Sequence, residues 1–301
     1  MKLSGKVAIV AGGGQGIGEG IVHCLAEEGA DIAVFDINSD TAKKMAEQVK
    51  AVGRKALPVT ADLTDVAQVN RAVKQTVDFF GKIDILVNDV GGVSVETGQM
   101  MEEYRKSVGD QSLPQFMYSS PEVWDRYYQL NLKSHVMLSQ AVTPYFIKQR
   151  SGKIVNISST SGRIADPTQM HYASMKAADI SITWTLARAL ARYNITVNCV
   201  CPGFVYTPLW ARGAVDRLEE LREAKKKGGN LPPPFNRITD ADLEGMTPKD
   251  FWLNYIVIPN TPNGREQTPE DMGRAVAFFV SEEAKNITGQ VLHVDGGFVM
   301  R

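Results

Sequence analysis

Val7-Ala8-Ile9-Val10-Ala11-Gly12-Gly13-Gly14-Gln15-Gly16-Ile17-Gly18 is the stretch whose reading decides the fold. Five apolar residues run into a cluster of glycines, and apolar residues then recur at helical spacing as far as Glu28. A short apolar run bounded by glycine reads as a buried strand, and the periodic stretch as a helix stopped before Gly29. Glycines between the two let the backbone bend tightly and approach a ligand closely. The helix start then offers free N–H groups and the positive end of a dipole, which suits a phosphate. In this strand–turn–helix context Gly12, Gln15, Gly16, Ile17 and Gly18 are candidate contacts for a dinucleotide's pyrophosphate, rather than a bare turn.

The pattern repeats outward. Apolar runs at Ile32–Phe35, Lys55–Thr60, Ile83–Val87, Lys153–Ile157, Ile195–Val200 and Val291–Val294 read as further strands. Helical spacing is expected over Asp40–Val52 (capped by Ser39), Thr64–Phe80, Pro121–Lys148, Met170–Tyr193 and Pro269–Val280. Nearly continuous apolar strands alternating with helices predict a doubly wound parallel sheet in three α/β/α layers, one domain spanning residues 1–301. Two segments break the rhythm. Gly92–Ser120 is polar and Met-rich, and Phe204–Gln267 carries Lys225-Lys226-Lys227, Pro232-Pro233-Pro234 and the aromatics Trp210, Phe235, Phe251, Trp252 and Tyr255. Structureless stretches this long inside a compact domain are usually functional, and both leave from the carboxyl ends of strands, where ligands bind in such sheets. A substrate lid is expected from them.

Asp36 ends the second strand, 36 − 16 = 20 residues beyond Gly16. A carboxylate there can accept hydrogen bonds from the adenosine ribose and repel a 2′-phosphate, and no Lys or Arg follows it directly. NAD is therefore expected in preference to NADP.

Ser159 precedes Tyr172-Ala173-Ser174-Met175-Lys176 by thirteen residues (172 − 159 = 13). A four-residue step places Tyr172 and Lys176 on one helix face. A free tyrosine ionises near pH 10, and a neighbouring ammonium offsets much of the cost of making it a phenolate. Tyr172 can then serve as general acid or base, with Ser159 hydrogen-bonded to the reacting oxygen.

With the glycine turn, these residues resemble the short-chain dehydrogenase/reductase family over essentially the whole chain. The resemblance extends through Asp62-Leu63, Asn88-Asp89-Val90-Gly91, Asn131, Pro202-Gly203, Thr207 and Asp295-Gly296-Gly297. It implies a Rossmann-type fold and hydride transfer between NAD and a secondary alcohol or ketone, with Asn131, Ser159, Tyr172 and Lys176 as the catalytic set. It further implies that Lys176 holds the nicotinamide ribose and Asn131 a relay water. Asp62 and Leu63 would flank the adenine, and Asn88 and Gly91 would line the cofactor cleft. Pro202, Gly203, Val205 and Thr207 would sit beside the nicotinamide. Ala11 stands where the family usually has Thr, and Asp89-Val90 where it has Asn-Ala, which bears on coenzyme affinity rather than on proton transfer. The aromatic lid suggests a bulky, apolar or cyclic substrate. A 3-oxoacyl-thioester reductase using NADPH, and a non-catalytic nucleotide-binding scaffold, remain alternatives.

Bulk properties bound the rest. Lys and Arg total 33 against 34 Asp and Glu, giving a formal net charge of −1, so no basic surplus points to nucleic acid or an anionic membrane. Three cysteines, two of them as Cys199-x-Cys201, make a poor disulfide framework and fit a reducing cytoplasm. The four histidines show no metal-ligand spacing, and His171 beside Tyr172 is read as facing away from the site. No leader or membrane span is expected, and the family resemblance implies a homotetramer built on the helices Pro121–Lys148 and Met170–Tyr193.

Overall fold

The computed structural model describes residues 1–92, 95–108, 115–165, 169–229, 231 and 235–300. The apolar runs become β1 (Val7–Ala11), β2 (Asp31–Asp36), β3 (Ala56–Thr60), β4 (Ile85–Asn88), β5 (Gly152–Ile157), β6 (Ile195–Pro202) and β7 (Val291–Val294). All pair in parallel in the order β3-β2-β1-β4-β5-β6-β7. Every residue of β1 and β4 is buried, as strands covered on both faces must be.

The helices are α1 (Gly16–Glu27), α2 (Ser39–Ala51), α3 (Val66–Phe80), α4 (Val95–Val108), α5 (Pro121–Tyr128), α6 (Ser134–Gln149), α7 (Met170–Leu190), α8 (Pro208–Lys226), α9 (Asp240–Gly245), α10 (Pro248–Trp252), α11 (Ile258–Asn260) and α12 (Pro269–Val280). One face of the sheet packs on α1, α2 and α12 through Ile21, Leu25, Met45, Met272 and Val276. The other packs on α3, α6 and α7 through Val69, Val73, Leu138, Phe146 and Leu190. The chain winds outward from β1 to β3, then returns to β4 beside β1 and winds the other way. Ala11 of β1 and Asn88 of β4 end side by side at that reversal, the place where such sheets open a ligand cleft.

Several expectations change. The cap of α2 is Asn38, whose side chain accepts from Asp40 N and Thr41 N, rather than Ser39. The helix expected over Pro121–Lys148 is α5 and α6 joined by one π-helical turn, Gln129–Lys133. Gly92–Ser120, read as aperiodic, contains α4; residues 93–94 and 109–114 lie outside the described ones. Phe204–Gln267 is not structureless: α8 to α11 carry their own core of Leu218, Leu221, Leu243, Phe251, Trp252 and Val257. Its Pro232-Pro233-Pro234 lies outside the described residues.

Candidate active site

The glycine turn sits at the reversal of strand order. Gly12 N and Gly13 N donate to Phe35 O, and Asp89 N donates to Ala11 O, so the turn is tied to the ends of β2 and β4. A Cβ on Gly18 would lie 2.1 Å from Gly12 O, closer than any side chain allows, so this crossing of turn and helix admits only glycine. Gln15 at the start of α1 makes no side-chain capping bond, which leaves first-turn N–H groups for an anion. This cradle fits a dinucleotide pyrophosphate.

Asp36 lies beside the turn with 8% exposure. Its Oδ2 accepts from Gly14 N at 3.0 Å and its Oδ1 from Asn38 N at 2.9 Å, so the carboxylate is held rigidly beside the turn. Asp89, at the end of β4, accepts from Gly18 N. Burial pushes the Asp89 carboxyl up to about 8; Asp36 adds to this, while Lys176 and the Gly18 N–H oppose it.

Tyr172 and Lys176 both project from the first turns of α7, with Lys176 Nζ 5.8 Å from the centre of the Tyr172 ring. Lys176 is 3% exposed. Its Nζ donates to Ile157 O at 2.9 Å and to Asp179 Oδ2 at 3.3 Å. Burial opposes its charge, but Asp179, Tyr172 and Asp89 together hold it above the usual lysine value. Ser159 lies two residues beyond β5 and caps a 3₁₀ turn, Thr160–Gly162, that packs on α7. Its Oγ accepts from Ser161 N at 3.1 Å, leaving its own hydrogen free to donate.

Asn131 sits in the π-helical turn, fully buried. Its amide clamps Gly92 from both sides, accepting from Gly92 N at 2.7 Å and donating to Gly92 O at 3.1 Å. A Cβ on Gly91 would lie 2.8 Å from Asn131 Oδ1 and 3.2 Å from Lys176 Nζ. Gly91 therefore brings the β4 loop, the π turn and α7 to one point.

The remaining site candidates fall in different surroundings. Thr207 starts α8 with no side-chain capping bond, and its methyl faces Gly16. Gly203 N donates to Val294 O, and Val205 is buried and bridges to Gln267. Leu63 packs into the core beside α3. Asp62 Oδ1 accepts from both Thr64 N and Thr64 Oγ1. The Asn88 amide donates to Ser139 Oγ and Asn156 Oδ1. His171 is buried between Trp124 and Tyr127 and bonded to Ser119. Tyr127, the phenol stacked on it, is pushed up to about 12, first by burial and then by Tyr172.

Two residues escaped the sequence reading. Asp179 follows Lys176 by one helical turn and His135 follows Asn131 by four positions, spacings that place each beside its neighbour. Cys199 and Cys201, by contrast, are buried thiols with Sγ atoms 4.0 Å apart. Among the described residues no group of three metal-binding side chains occurs, and no helix is long and apolar enough to cross a membrane.

A cleft at the strand reversal, a phosphate cradle and a Tyr/Lys pair define a nicotinamide-dependent oxidoreductase. The family model described as short chain dehydrogenase matches residues 6–217, and one described as Enoyl-(Acyl carrier protein) reductase matches residues 239–299. The chain belongs to the short-chain dehydrogenase/reductase family. It is 31% identical over 300 residues to the 3-oxoacyl-[acyl-carrier-protein] reductase FabG of Thermotoga maritima, covering 100% of both chains. A solved 7 alpha-hydroxysteroid dehydrogenase, complexed with NADH and 7-oxo glycochenodeoxycholic acid, is 27% identical, with a TM-score of 0.74 over 100% of this chain and 96% of that one. A mutant of a Serratia marcescens short-chain dehydrogenase/reductase is 29% identical, with a TM-score of 0.72 over 99% of both chains.

Proposed function

We propose that this protein is an NAD(H)-dependent oxidoreductase that interconverts a bulky, apolar or ring-containing secondary alcohol and its ketone. The observation that carries the chemistry is the buried Lys176 ammonium 5.8 Å from the Tyr172 ring at the carboxyl end of the sheet. Two unit charges about 6 Å apart at an effective dielectric near 20 attract by about 3 kcal/mol, so Lys176 stabilises charge developing on the Tyr172 oxygen. Tyr172 takes the alcohol proton during oxidation and returns it to the carbonyl oxygen during reduction. Ser159 donates to that same oxygen. Asn131 fixes the Gly91-Gly92 backbone that walls the cleft. A nicotinamide bound in the cleft would be the hydride partner, accepting from the alcohol carbon in oxidation and donating to the carbonyl carbon in reduction. Gly12, Gln15, Gly16, Ile17 and Gly18 would hold its pyrophosphate, Asp36 its adenosine ribose, and Thr207 its far end.

The preference for NAD rests on Asp36, a buried carboxylate that leaves no favourable place for a 2′-phosphate beside it. The lid rests on the second aromatic core. Trp252 lies 4.9 Å from Tyr206 and 6.5 Å from Trp210, and Phe204 lies 5.0 Å from Phe298. Leu209 at the start of α8 approaches Gly92, so the two interrupting segments touch, which supports a shared lid. The steroid-complexed neighbour supports a ring-containing substrate.

A second reading, reduction of a 3-oxoacyl thioester, is favoured by similarity to the FabG relative. Absorbance at 340 nm with NAD or NADP, against cyclic secondary alcohols and against a 3-oxoacyl thioester, separates the two. Turnover of cyclic alcohols with NAD is expected; thioester reduction at kcat/KM ten times higher would favour the second. Exposed Tyr128 on α5 and Trp184 on α7 accord with a homotetramer built on those helices, which light scattering would test.

A further inference from the structure

Behind the Tyr172–Lys176 pair runs a buried polar chain. Lys176 Nζ contacts Asp179 Oδ2 at 3.3 Å, and the other carboxylate oxygen, Oδ1, lies 3.0 Å from His135 Nδ1. His135 Nε2 lies 2.7 Å from Val90 O, in the loop that runs on into Gly91. Lys176, Asp179 and His135 are 3%, 1% and 1% exposed. Side chains and backbone from α6, α7, β5 and the β4 loop thus converge on one carboxylate.

The hydrogen inventory of this chain is restrictive. A carbonyl oxygen only accepts, so His135 Nε2 carries a hydrogen. Nδ1 faces a carboxylate oxygen, and that contact is a bond only when a second hydrogen lies between them. Placed on either atom, it leaves the Lys176–Asp179–His135 cluster with a single net positive charge. The titratable groups facing the cluster are Tyr172 on α7, Asp89 at the end of β4 and Cys199 on β6. Desolvating charges costs about what their attraction returns, so stability alone does not account for an ion pair placed here.

Lys176 has three hydrogens. Ile157 O and Asp179 Oδ2 take two, and the third is left towards the cleft at Gly91. We propose that Asp179, braced by His135, is a positioning residue for the reaction: it anchors the Lys176 ammonium from behind, so that the remaining hydrogen faces the coenzyme ribose and the charge stays under Tyr172. The His135–Val90 bond ties this anchor to the loop that walls the cleft. The inference deepens the alcohol–ketone reading given above and rests on it.

The test compares Asp179→Asn, whose amide can still meet both Lys176 and His135, with Asp179→Leu, which can meet neither. Asp179→Ser, too short to reach Lys176, replaces the leucine variant if that one does not fold. In alcohol oxidation, Asp179→Leu is expected to lose about 10- to 100-fold in kcat, the range for a misplaced catalytic group. It should also acquire an alkaline fall-off, as a buried lysine without its counter-ion discharges. Asp179→Asn, which keeps both hydrogen bonds but not the charge, should stay within about threefold of wild type in kcat near neutral pH, with an alkaline fall-off smaller than that of Asp179→Leu. Competitive acetylation of the coenzyme-free protein, read at Lys176 by mass spectrometry, should begin at a pH lower by about one unit or more in Asp179→Leu. A folded leucine or serine variant with wild-type rate and labelling would overturn the positioning role, as would an asparagine variant impaired as badly. Wild-type protein that turns over no alcohol would instead overturn the functional reading, while the labelling comparison still decides the anchor.

Discussion

Asp36→Asn tests coenzyme choice with the least disturbance. The wild-type carboxylate is clamped by Gly14 N and Asn38 N and is only 8% exposed, so it cannot swing away from a phosphate placed beside it. At about 5 Å and an effective dielectric near 20, one unit of like charge costs about 3 kcal/mol, a factor of about 100 in affinity. Asparagine removes the charge and, with a single oxygen, keeps one of the two backbone hydrogen bonds. The ratio of kcat/KM for NADP over NAD is therefore expected to rise about 10- to 100-fold, with salt screening setting the lower end. The kcat/KM for NAD should fall less than about tenfold, because one hydrogen bond to the ribose weakens without burying an unpaired charge. Initial rates with each coenzyme at saturating alcohol measure both ratios. A change below threefold, or a wild type that already prefers NADP, would refute the role given to Asp36.

Asp89→Asn should flatten a pH dependence of stability. The folded chain keeps a proton on Asp89 up to about pH 8, whereas the unfolded chain releases it near pH 4, so stability falls as pH rises between those values. The variant should melt about 5–10 °C higher at pH 8.5 and unchanged near pH 4, by calorimetry. Gly18→Ala forces a Cβ to within 2.1 Å of Gly12 O; an overpacking cost of about 1–3 kcal/mol at the cradle should raise the coenzyme Kd about 5- to 100-fold in a fluorescence titration. Trp252→Ala empties the centre of the α8–α11 core, where the indole is fully buried; it should cost about 3–5 kcal/mol of local stability. Its KM for a bulky alcohol should rise while NADH affinity holds, and equal losses in both would speak against a lid.

The β–α alternation was legible because strands buried on both faces are unbroken apolar runs, and Val7–Ala11 followed by glycines leaves little choice of turn. The Phe204–Gln267 segment was not. Its helices bury their apolar residues against one another, and α8 carries charge over most of its surface, so no sheet-facing stripe marks it. The π turn at Asn131 was also invisible: nothing in Gln129–Lys133 distinguishes it from ordinary helix, although it presents the Asn131 amide to Gly92 and to Tyr127 O. Tyr172 and Lys176 were readable from a four-residue step. The same spacing argument, carried on to Asp179 and back to His135, reaches the chain that anchors the lysine.

The most direct test is Tyr172→Phe, which removes one oxygen from the site and leaves the ring over Lys176. NADH binding should stay within about threefold of wild type, while kcat for alcohol oxidation falls by about 100-fold or more, the scale of a lost general base. Wild-type kcat in a variant that folds and binds NADH normally would contradict the assignment of proton transfer to Tyr172.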